Sequence, residues 1–594
     1  MPPSTEAAVE GSQTAAAVEP TIPVAGPIPA NEPKPRKEPK PPKAPKAVKP
    51  AKATQPAQAV DPARPAEAAK PPKPPKPPKA PKTAKPAKAP KTATAVAVAA
   101  GGSRRTSGAT GEGARRSVAR TSISVAIGIV VLALAAATVG AAAVVALPTV
   151  TSGVPNVVVT PVASPQTRVC PGPFLGLADQ SQASADSATP AVLPLGDPTL
   201  VTGIVPTTDT ITTDALSTPD VQQGTSTPTT LTAPGSSGTL LGGSQSQALA
   251  QSDLAGLATS ECGEASADTW LAAGSTVTGR SAYLLLSNPT DVLATVALSI
   301  FSESGAVNAP GTSGITVQPH SQRALSLAGF APNIVSPVIH VTSAGGTVLA
   351  SLQQSVIRGL TPGGIDTAGP TGAPALSQTI AGVQIVSTSS IAEQAADPAS
   401  SDLTAALRVF VPGAAAATLS VTFKSETLGV ADTTVSYSAT GGVVTDFPLP
   451  SLNDDTYSVV VSSDQPVVVG ARAAVVSGGT DFAWYQSGQS LDGTFLFATA
   501  TGPNARLMLV NTSSQDAAVT ISQTDQASPP ATFTVAANSA LGYSVIGNMA
   551  FTVVTTAPLT ASVGYVGDGL ISSFSVSPAS PLAAPITVYG GTGG

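Results

Sequence analysis

The residues of this chain whose type and spacing most plainly suggest chemistry are lysines. Lys70, Lys73, Lys76, Lys79, Lys82, Lys85, Lys88 and Lys91 stand at every third position of a Pro- and Ala-rich run, KPPKPPKPPKAPKTAKPAKAPK. Proline fixes φ and removes a backbone donor, so helix and sheet are excluded and polyproline II is the accessible conformation. At about three residues per turn and about 3.1 Å rise per residue, lysines three apart line one edge of the rod, spaced by roughly 9 Å. Such a cationic comb matches polyanions: anionic lipid headgroups, nucleic acid or an acidic wall polymer. A solvated spacer is the alternative reading of the same composition. No aromatic residue interleaves the comb, so base stacking has nothing to work with, and nucleic acid would be held through its phosphates alone.

Other reactive side chains are sparse. The chain has only two histidines, His320 and His340. His320 aligns with Asn538 at a turn after a strand, a turn-forming rather than a catalytic place. No G-x-S-x-G elbow, Walker A loop, H-E-x-x-H or Cys/His metal spacing occurs. Asp454, Asp455, Asp464 and Asp481 read as solvated turn formers, with a Ca²⁺ loop in LNDDTYS as a minor alternative. Trp270, Trp484, Tyr283, Tyr485 and Tyr543 suit sugar stacking, but the tryptophans are expected in the core. These observations predict a protein that is not an enzyme and has no cofactor and no metal site.

Two cysteines remain, Cys170 in RVCPGP and Cys262 in SECGEA. Both fall on the side of the chain predicted to lie outside the membrane, where a disulfide between them is expected.

The elements that must carry these residues divide at residue 120. Up to Arg120 there are 22 basic against 8 acidic residues, net +14; the rest has 8 against 27, net −19. Residues 1–120 are read as a disordered basic cytoplasmic tail. At the divide, SISVAIGIVVLALAAATVGAAAVVALP is an uncharged stretch long enough to cross the hydrocarbon core, which predicts one transmembrane helix at 121–148. Arg104, Arg105, Arg115, Arg116 and Arg120 precede it, so the positive-inside rule places the N-terminus in the cytoplasm and the C-terminal part outside the cell. Residues 149–265, rich in Ser, Thr, Pro and Gly, are expected to form a stalk, with some strands contributed to the next domain.

Beyond Trp270 the pattern becomes β-branched alternation bounded by turns. ITVQPHSQRALSL, from Ile315, aligns without a gap to FTVAANSALGYSV, from Phe533. The stretches from Thr269 and Ala483, with Trp270 and Trp484, form a looser pair, and strands between Leu407 and Val475 supply a middle copy. The fold expected is mainly β: three tandem immunoglobulin-like β-sandwich repeats at 266–370, 371–480 and 481–594. A propeller-like ring is the alternative.

The string WLAAGSTVTGRSAYLLLSNPTDVLATVALSIFSESG, followed by ITVQPHS, resembles a tryptophan-opened, β-rich bacterial envelope repeat. With the basic tail, the single span and VCPGP, the layout is similar to an actinobacterial family of membrane-anchored extracytoplasmic proteins of unknown function, over roughly residues 120 to 590. The resemblance transfers no catalytic residue. Members of that family are often encoded beside large glycosyltransferases, which implies a role with envelope glycan. The expectation is a single-pass cell-membrane protein whose outer β domain is a scaffold or binding module for wall glycan or a partner protein. The alternatives are an accessory subunit of a membrane glycosyltransferase or polymer-export system, and a membrane protein contacting the nucleoid.

Overall fold

A computed structural model describes residues 130–134, 156–159, 165–177, 192–578 and 586–589, except for 223, 236–237, 428 and 526–527. The lysines at 70–91, the arginines at 104, 105, 115, 116 and 120, and the predicted span apart from a helical stretch at 130–134 lie outside the described residues. Among the described residues no helix is long and apolar enough to cross a membrane. The chain divides into two units, 1–143 and 144–594. The second is mainly β and is built of antiparallel sheets.

Strand β1 (Asn156–Val159) has its partner at the far end of the chain, as described below. The first module then holds β2 (Gln166–Cys170), β3 (Leu175–Leu177), β4 (Val192–Pro194), β5 (Thr199–Val205), β6 (Thr212–Ala215), β7 (Thr229–Ala233), β8 (Leu240–Ala250) and β9 (Ala255–Glu261). Its sheets run β2-β7-β6 and β5-β8-β9, with β3 and β4 as a small ladder. Residues 149–265 were expected to be a stalk with a few strands; from Gln166 on, the described part instead forms two sheets of its own. Polar side chains replace missing ladder partners here. Gln245 accepts from Gly172 N (3.0 Å) and donates to its carbonyl (2.7 Å), and Gln247 accepts from Phe174 N (2.8 Å). Small residues do the rest: a Cβ on Gly243 would stand 2.5 Å from Leu231, so only glycine lets the sheets close over the Cys170–Cys262 core.

The second module holds β10 (Asp268–Leu271), β11 (Arg280–Asn288), β12 (Ala294–Ser302), β13 (Gly305–Val307), β14 (Ile315–Val317), β15 (Ser321–Ser326), β16 (Val338–Gly345), β17 (Leu349–Arg358) and β18 (Thr361–Ala368). One sheet runs β10-β16-β12, with β13 and β14 on β12, and the other runs β15-β11-β17-β18. The third holds β19 (Ala375–Ile385), β20 (Ala406–Phe410), β21 (Ala417–Ser425), β22 (Thr433–Ala439), β23 (Val444–Pro448), β24 (Asp455–Val476) and β25 (Thr480–Gln486). The fourth holds β26 (Thr494–Thr499), β27 (Arg506–Asn511), β28 (Ala517–Gln523), β29 (Ala531–Val535), β30 (Ser539–Ser544), β31 (Met549–Thr555), β32 (Thr560–Gly567) and β33 (Leu570–Ser575), in sheets β26-β31-β28-β29 and β30-β27-β32-β33. Finally β34 (Ile586–Tyr589) pairs antiparallel with β1.

Period-2 burial makes these strands. Along β12, ATVALSIFS, every second residue from Ala294 to Ser302 is buried, and β28 repeats the pattern from Ala517. Alternation of this kind gives each sheet one apolar face, and those faces close over three cores, around Leu286 and Ile300, Val421 and Val459, and Leu509 and Val553.

The same pairing order recurs. In the first module β2 pairs β7 and β5 pairs β8; in the second β10 pairs β16 and β11 pairs β17; in the fourth β26 pairs β31 and β27 pairs β32. In the third, β24 is one 22-residue strand whose first half pairs β19 and β21 and whose second half pairs β20 and β25. An immunoglobulin sandwich keeps its opening strand in the sheet of the second and its closing strand in the sheet of the third. Here the opening strand joins the opposite sheet and the chain returns beside the second strand, so opening and closing strands have exchanged sheets.

One expected boundary and one expected equivalence also change. Trp484 lies on β25, the closing strand of the third module, whereas Trp270 lies on β10, the opening strand of the second; the two are not equivalent, and the break falls after Gln486 rather than after residue 480. The other alignment holds: His320 (φ 48°) and Asn538 (φ 51°) occupy matching left-handed turn positions. Asn288 and Asn511 also match, as the last residues of β11 and β27. Asn288 holds the carbonyls of Val292 and Val317 (2.8 and 3.1 Å), and Asn511 those of Gln515 and Val535 (2.7 and 3.0 Å).

The modules pack head to tail. The first sheet of each lies on the second sheet of the next, through Val169 and Leu216 on Leu349, Trp270 and Val338 on Phe410 and Val468, and Ala381 and Val460 on Met508 and Val510. The fourth contact returns to the start, with Ala498 and Ala550 on Val201. The sequence of contacts is therefore a closed ring of four modules.

Candidate functional site at the ring axis

The closing strands β9, β18, β25 and β33 meet at the centre of the ring, and one side chain binds all four. Asp481, fully buried, accepts hydrogen bonds from Leu257 N (2.9 Å), Ile365 N (3.1 Å), Phe482 N (3.0 Å) and Ile571 N (3.2 Å), one from each strand. Space for it comes from glycine: a Cβ on Gly256 (φ +145°) or Gly364 (φ +114°) would stand 2.5 and 2.7 Å from its Oδ1. Burial raises the Asp481 carboxyl well above its ordinary value, against the pull of the four N–H groups. Expected as a solvated turn former, Asp481 is instead the axial pin of the fold.

A second carboxylate follows along the axis. Asp366, also fully buried, accepts from Trp484 N (2.7 Å), and burial pushes its carboxyl up to about 8. Beside it Ser572 accepts from Thr259 N (2.9 Å). Trp484 itself lies under Arg408, 4.4 Å from the ring centre, and donates its indole N–H to Gln354 (2.7 Å). Its surroundings are entirely structural.

Five residues beyond Gly256, Gly364, Asp481 and Leu570 stand Glu261, Gly369, Gln486 and Ser575, at the ends of β9, β25 and β33 and one residue past β18. These four positions line a cavity of ≈ 360 Å³, together with Ser260, Glu264, Asp268 and Trp270. All four modules contribute to it. Arg168, 2% exposed, stands behind the wall with Nη1 3.6 Å from Glu261 and Nη2 3.7 Å from Glu264. Glu261 is fully engaged: both oxygens accept from Ser577 N (3.1 and 3.2 Å) and Oε2 accepts from Ser577 Oγ (2.6 Å). Burial raises the Glu261 carboxyl against the attraction of Arg168, and it raises Glu264 likewise. Trp270 is buried and stacks on His340 at 4.1 Å, and His340 Nε2 lies 2.9 Å from Asp268.

Several polar atoms here have no hydrogen-bond partner: Ser260 Oγ, Glu264 Oε1, Gln486 Nε2, and Nε and Nη1 of Arg168. Unpaired buried polar atoms cost about 1–3 kcal/mol each, and each of these atoms is itself shut off from solvent.

Of the residues picked from the sequence, Cys170 and Cys262 are bonded to each other and hold the end of β2 against the exit of β9. Asp454 accepts from Ser387 N, Thr388 N and Thr388 Oγ1, and Asp455 from Ser425, Thr427 and Thr456. No metal-ligating group of three converges among the described residues. Tyr283 and Tyr485 are buried and Tyr543 packs on Phe533. Sequence reasoning missed Arg168, Glu261, Glu264 and Gln486. A signal was present for the first three, which flank the cysteines in RVC and SECGE, so the disulfide itself carries Arg168 to the glutamates. Nothing local distinguishes Gln486.

Neither a curated protein nor a solved structure matches this chain. A family model does, over residues 215–545, which run from the end of β6 to just past β30 and cover more than half of the chain. The chain therefore belongs to DUF5719, a family of unknown function.

Proposed function

We propose that the ring is a non-enzymatic binding module of the cell envelope, and that its axial cavity receives the end or a branch of a wall glycan. The observation that carries this reading is the cavity itself. Sugars present hydroxyls that both donate and accept, and the cavity is lined by the polar residues Ser260, Glu264, Asp268 and Gln486 beside Trp270. Its volume lies at the lower end of the range typical for small-ligand sites. Head-to-tail packing fixes the wall residues on four different modules, so the site is preorganised and little ordering cost falls on binding.

In this reading the chain crosses the cell membrane once at 121–148, with the N-terminus in the cytoplasm and the ring outside. The lysines at 70–91 then lie along the inner leaflet, where basic residues near anionic lipid gain about 1 kcal/mol each. The recurrent pairing supports descent of all four modules from one repeated unit.

Two measurements test the proposal. Protease treatment of spheroplasts carrying a tag at each end should remove the C-terminal tag and spare the N-terminal one; the opposite pattern would refute the topology. Calorimetric titration of the detergent-purified full-length chain with N-acetylglucosamine and glucosamine oligosaccharides should give saturable heats that fall at least tenfold in Gln486→Ala. Absence of binding by either series, with the chain folded, would refute the glycan site.

A further inference from the structure

The third module carries a connection that the second and fourth lack. Strands β10 and β11, and strands β26 and β27, are joined by loops at 272–279 and 500–505, whereas β19 and β20 are joined by 386–405, which holds a short helix α1 (Thr388–Gln394) and a 3₁₀ turn (Pro398–Leu403). Both ends of this connection are fastened. Asp454 accepts from Ser387 N (3.0 Å), Thr388 N (3.1 Å) and Thr388 Oγ1 (2.6 Å), and Leu403 enters the core of the second module. Between the two fastenings α1 buries none of its residues. Against it lies a cavity of ≈ 290 Å³, lined by Ile385, Val386, Ile391, Leu449, Leu452 and Ala474 among others. No charged side chain lines this cavity and no lining residue has a buried polar atom in want of a partner, so its interior suits hydrocarbon, and an occupant must keep any polar group at one end.

A cationic cluster adjoins that end. Asp402 is met by Arg280 (2.8 Å), Arg358 (2.9 Å) and Arg472 (3.8 Å), so three of the eight basic residues after residue 120 converge on one carboxylate in a part of the chain that has 27 acidic residues. Two positive charges are left over. Glu393 and Asp397, the acidic residues nearest along the connection, ion-pair with none of the three, and Asp446 is engaged by Arg408 (2.8 Å). Burial acts to raise the Asp402 carboxyl, but Arg472, Arg358 and Arg280 outweigh it and hold the group below its ordinary value. Position ties the cluster to the cavity. Arg472 stands two residues before Ala474 on β24 and so projects from the same face, and Asp402 stands two residues before Thr404, which also lines the cavity. All three guanidiniums keep some exposure to solvent.

We propose that the two features form one lipid site: the hydrocarbon of a single-chain phosphate monoester fills the cavity against α1, and its phosphate meets Arg280, Arg358 and Arg472 at the seam between the second and third modules. The surplus of two charges matches the about −1.5 to −2 carried by a phosphate monoester near neutral pH and exceeds what a carboxylate brings. Guanidinium forks also hold phosphate through paired hydrogen bonds. The site shares no residue with the axial cavity and does not depend on the reading given to it.

The test is photolabelling of the full-length chain in phosphatidylcholine nanodiscs, which hold no phosphate monoester, with a trace of a long-chain alkyl phosphate bearing a diazirine near the end of its chain, followed by peptide mapping. Adducts are expected within 385–405 and 449–452. Unlabelled alkyl phosphate should compete at a concentration at least about tenfold lower than the alcohol of equal chain length, because charge-assisted hydrogen bonds hold its head. Arg280→Gln should shrink that advantage towards unity. Ala392→Phe, at an exposed position of α1 that lines the cavity, should cut labelling at least fivefold with an unchanged circular dichroism spectrum. Adducts found only outside those two segments overturn the site, a result read on the unaltered chain without either variant. Labelling that Ala392→Phe leaves intact overturns the cavity as the place of the chain. An alcohol that competes as well as the phosphate, or an advantage that persists in Arg280→Gln, overturns the role of the arginines. A fatty acid that competes better than the alkyl phosphate overturns the phosphate head, and inorganic phosphate that displaces the probe as well as the alkyl phosphate does overturns the hydrocarbon part.

Discussion

Asp481 does at the axis what a ladder partner does elsewhere in a sheet. Four N–H groups, one from each closing strand, converge on its carboxylate where those strands meet at the axis. An amide in its place would point one N–H group at donors and leave buried groups unpaired, so Asp481→Asn should destabilise the chain by about 3–5 kcal/mol, read from thermal or denaturant unfolding. A loss under 1 kcal/mol would show that water reaches the axis. Asp366 gives a pH signature. Its carboxyl is raised from 3.8 to about 8, so between those values the folded chain holds a proton that the unfolded chain has released. Stability contributed by this residue is therefore full below about pH 4 and falls as pH rises to 8, with a slope of at most about 1.4 kcal/mol per pH unit. Asp366→Asn, neutral throughout, should flatten the Tm–pH curve over that window. An unchanged curve would assign the slope to other groups, Glu426 (raised to about 7) first among them.

At the scale of elements, the first module is the least regular and the one most in need of a covalent tie. Its sheets have three strands each, and its small core includes the two cysteines themselves. The disulfide joins positions 92 residues apart, a loop for which chain entropy gives a stabilisation of about 3–5 kcal/mol. The double variant Cys170→Ser with Cys262→Ser should lose stability of that size. It should also weaken any ligand of the axial cavity, because Pro171 and the Glu261–Glu264 segment form its wall. A Tm within 2 °C of the parent chain would mean that packing alone fixes the module. The third module needs no such tie: β24 passes unbroken from one sheet to the other, so its two sheets share a backbone.

For the whole molecule, closure is the governing fact. Every module covers an apolar face of the next, and the fourth covers the first through Ala498, Ala550 and Leu496 against Val201, Gly203 and Gly242. A chain ending at residue 492 would lose β26–β34 and uncover both the Val201 face of the first module and the Ala381 and Val460 face of the third. Exposed faces of this kind associate. Such a truncation should therefore form soluble oligomers or aggregate, as measured by light scattering, while the full chain does not. A monodisperse, cooperatively unfolding truncation would show that the modules are independent and the ring incidental.

The sequence by itself determined the β character of the C-terminal part, because alternation of apolar and polar residues, as in ATVALSIFS, fixes which face is buried whatever the neighbours are. It determined the equivalence of His320 and Asn538, because turns that need a left-handed residue leave a local mark, and it determined the disulfide, because only two cysteines exist. It did not reveal the first module, since glutamine and glycine there act through contacts 73 residues away, as Gln245 does on Gly172. Nor did it separate Trp270 from Trp484, whose similar neighbours conceal opposite ends of a module. The tertiary structure alone decided that there are four modules, that they close, and that Asp481, Asp366 and the cavity of Glu261, Glu264 and Gln486 lie on one axis. Each of those facts depends on strands from four distant segments meeting at a point, and no local pattern records where a chain meets itself.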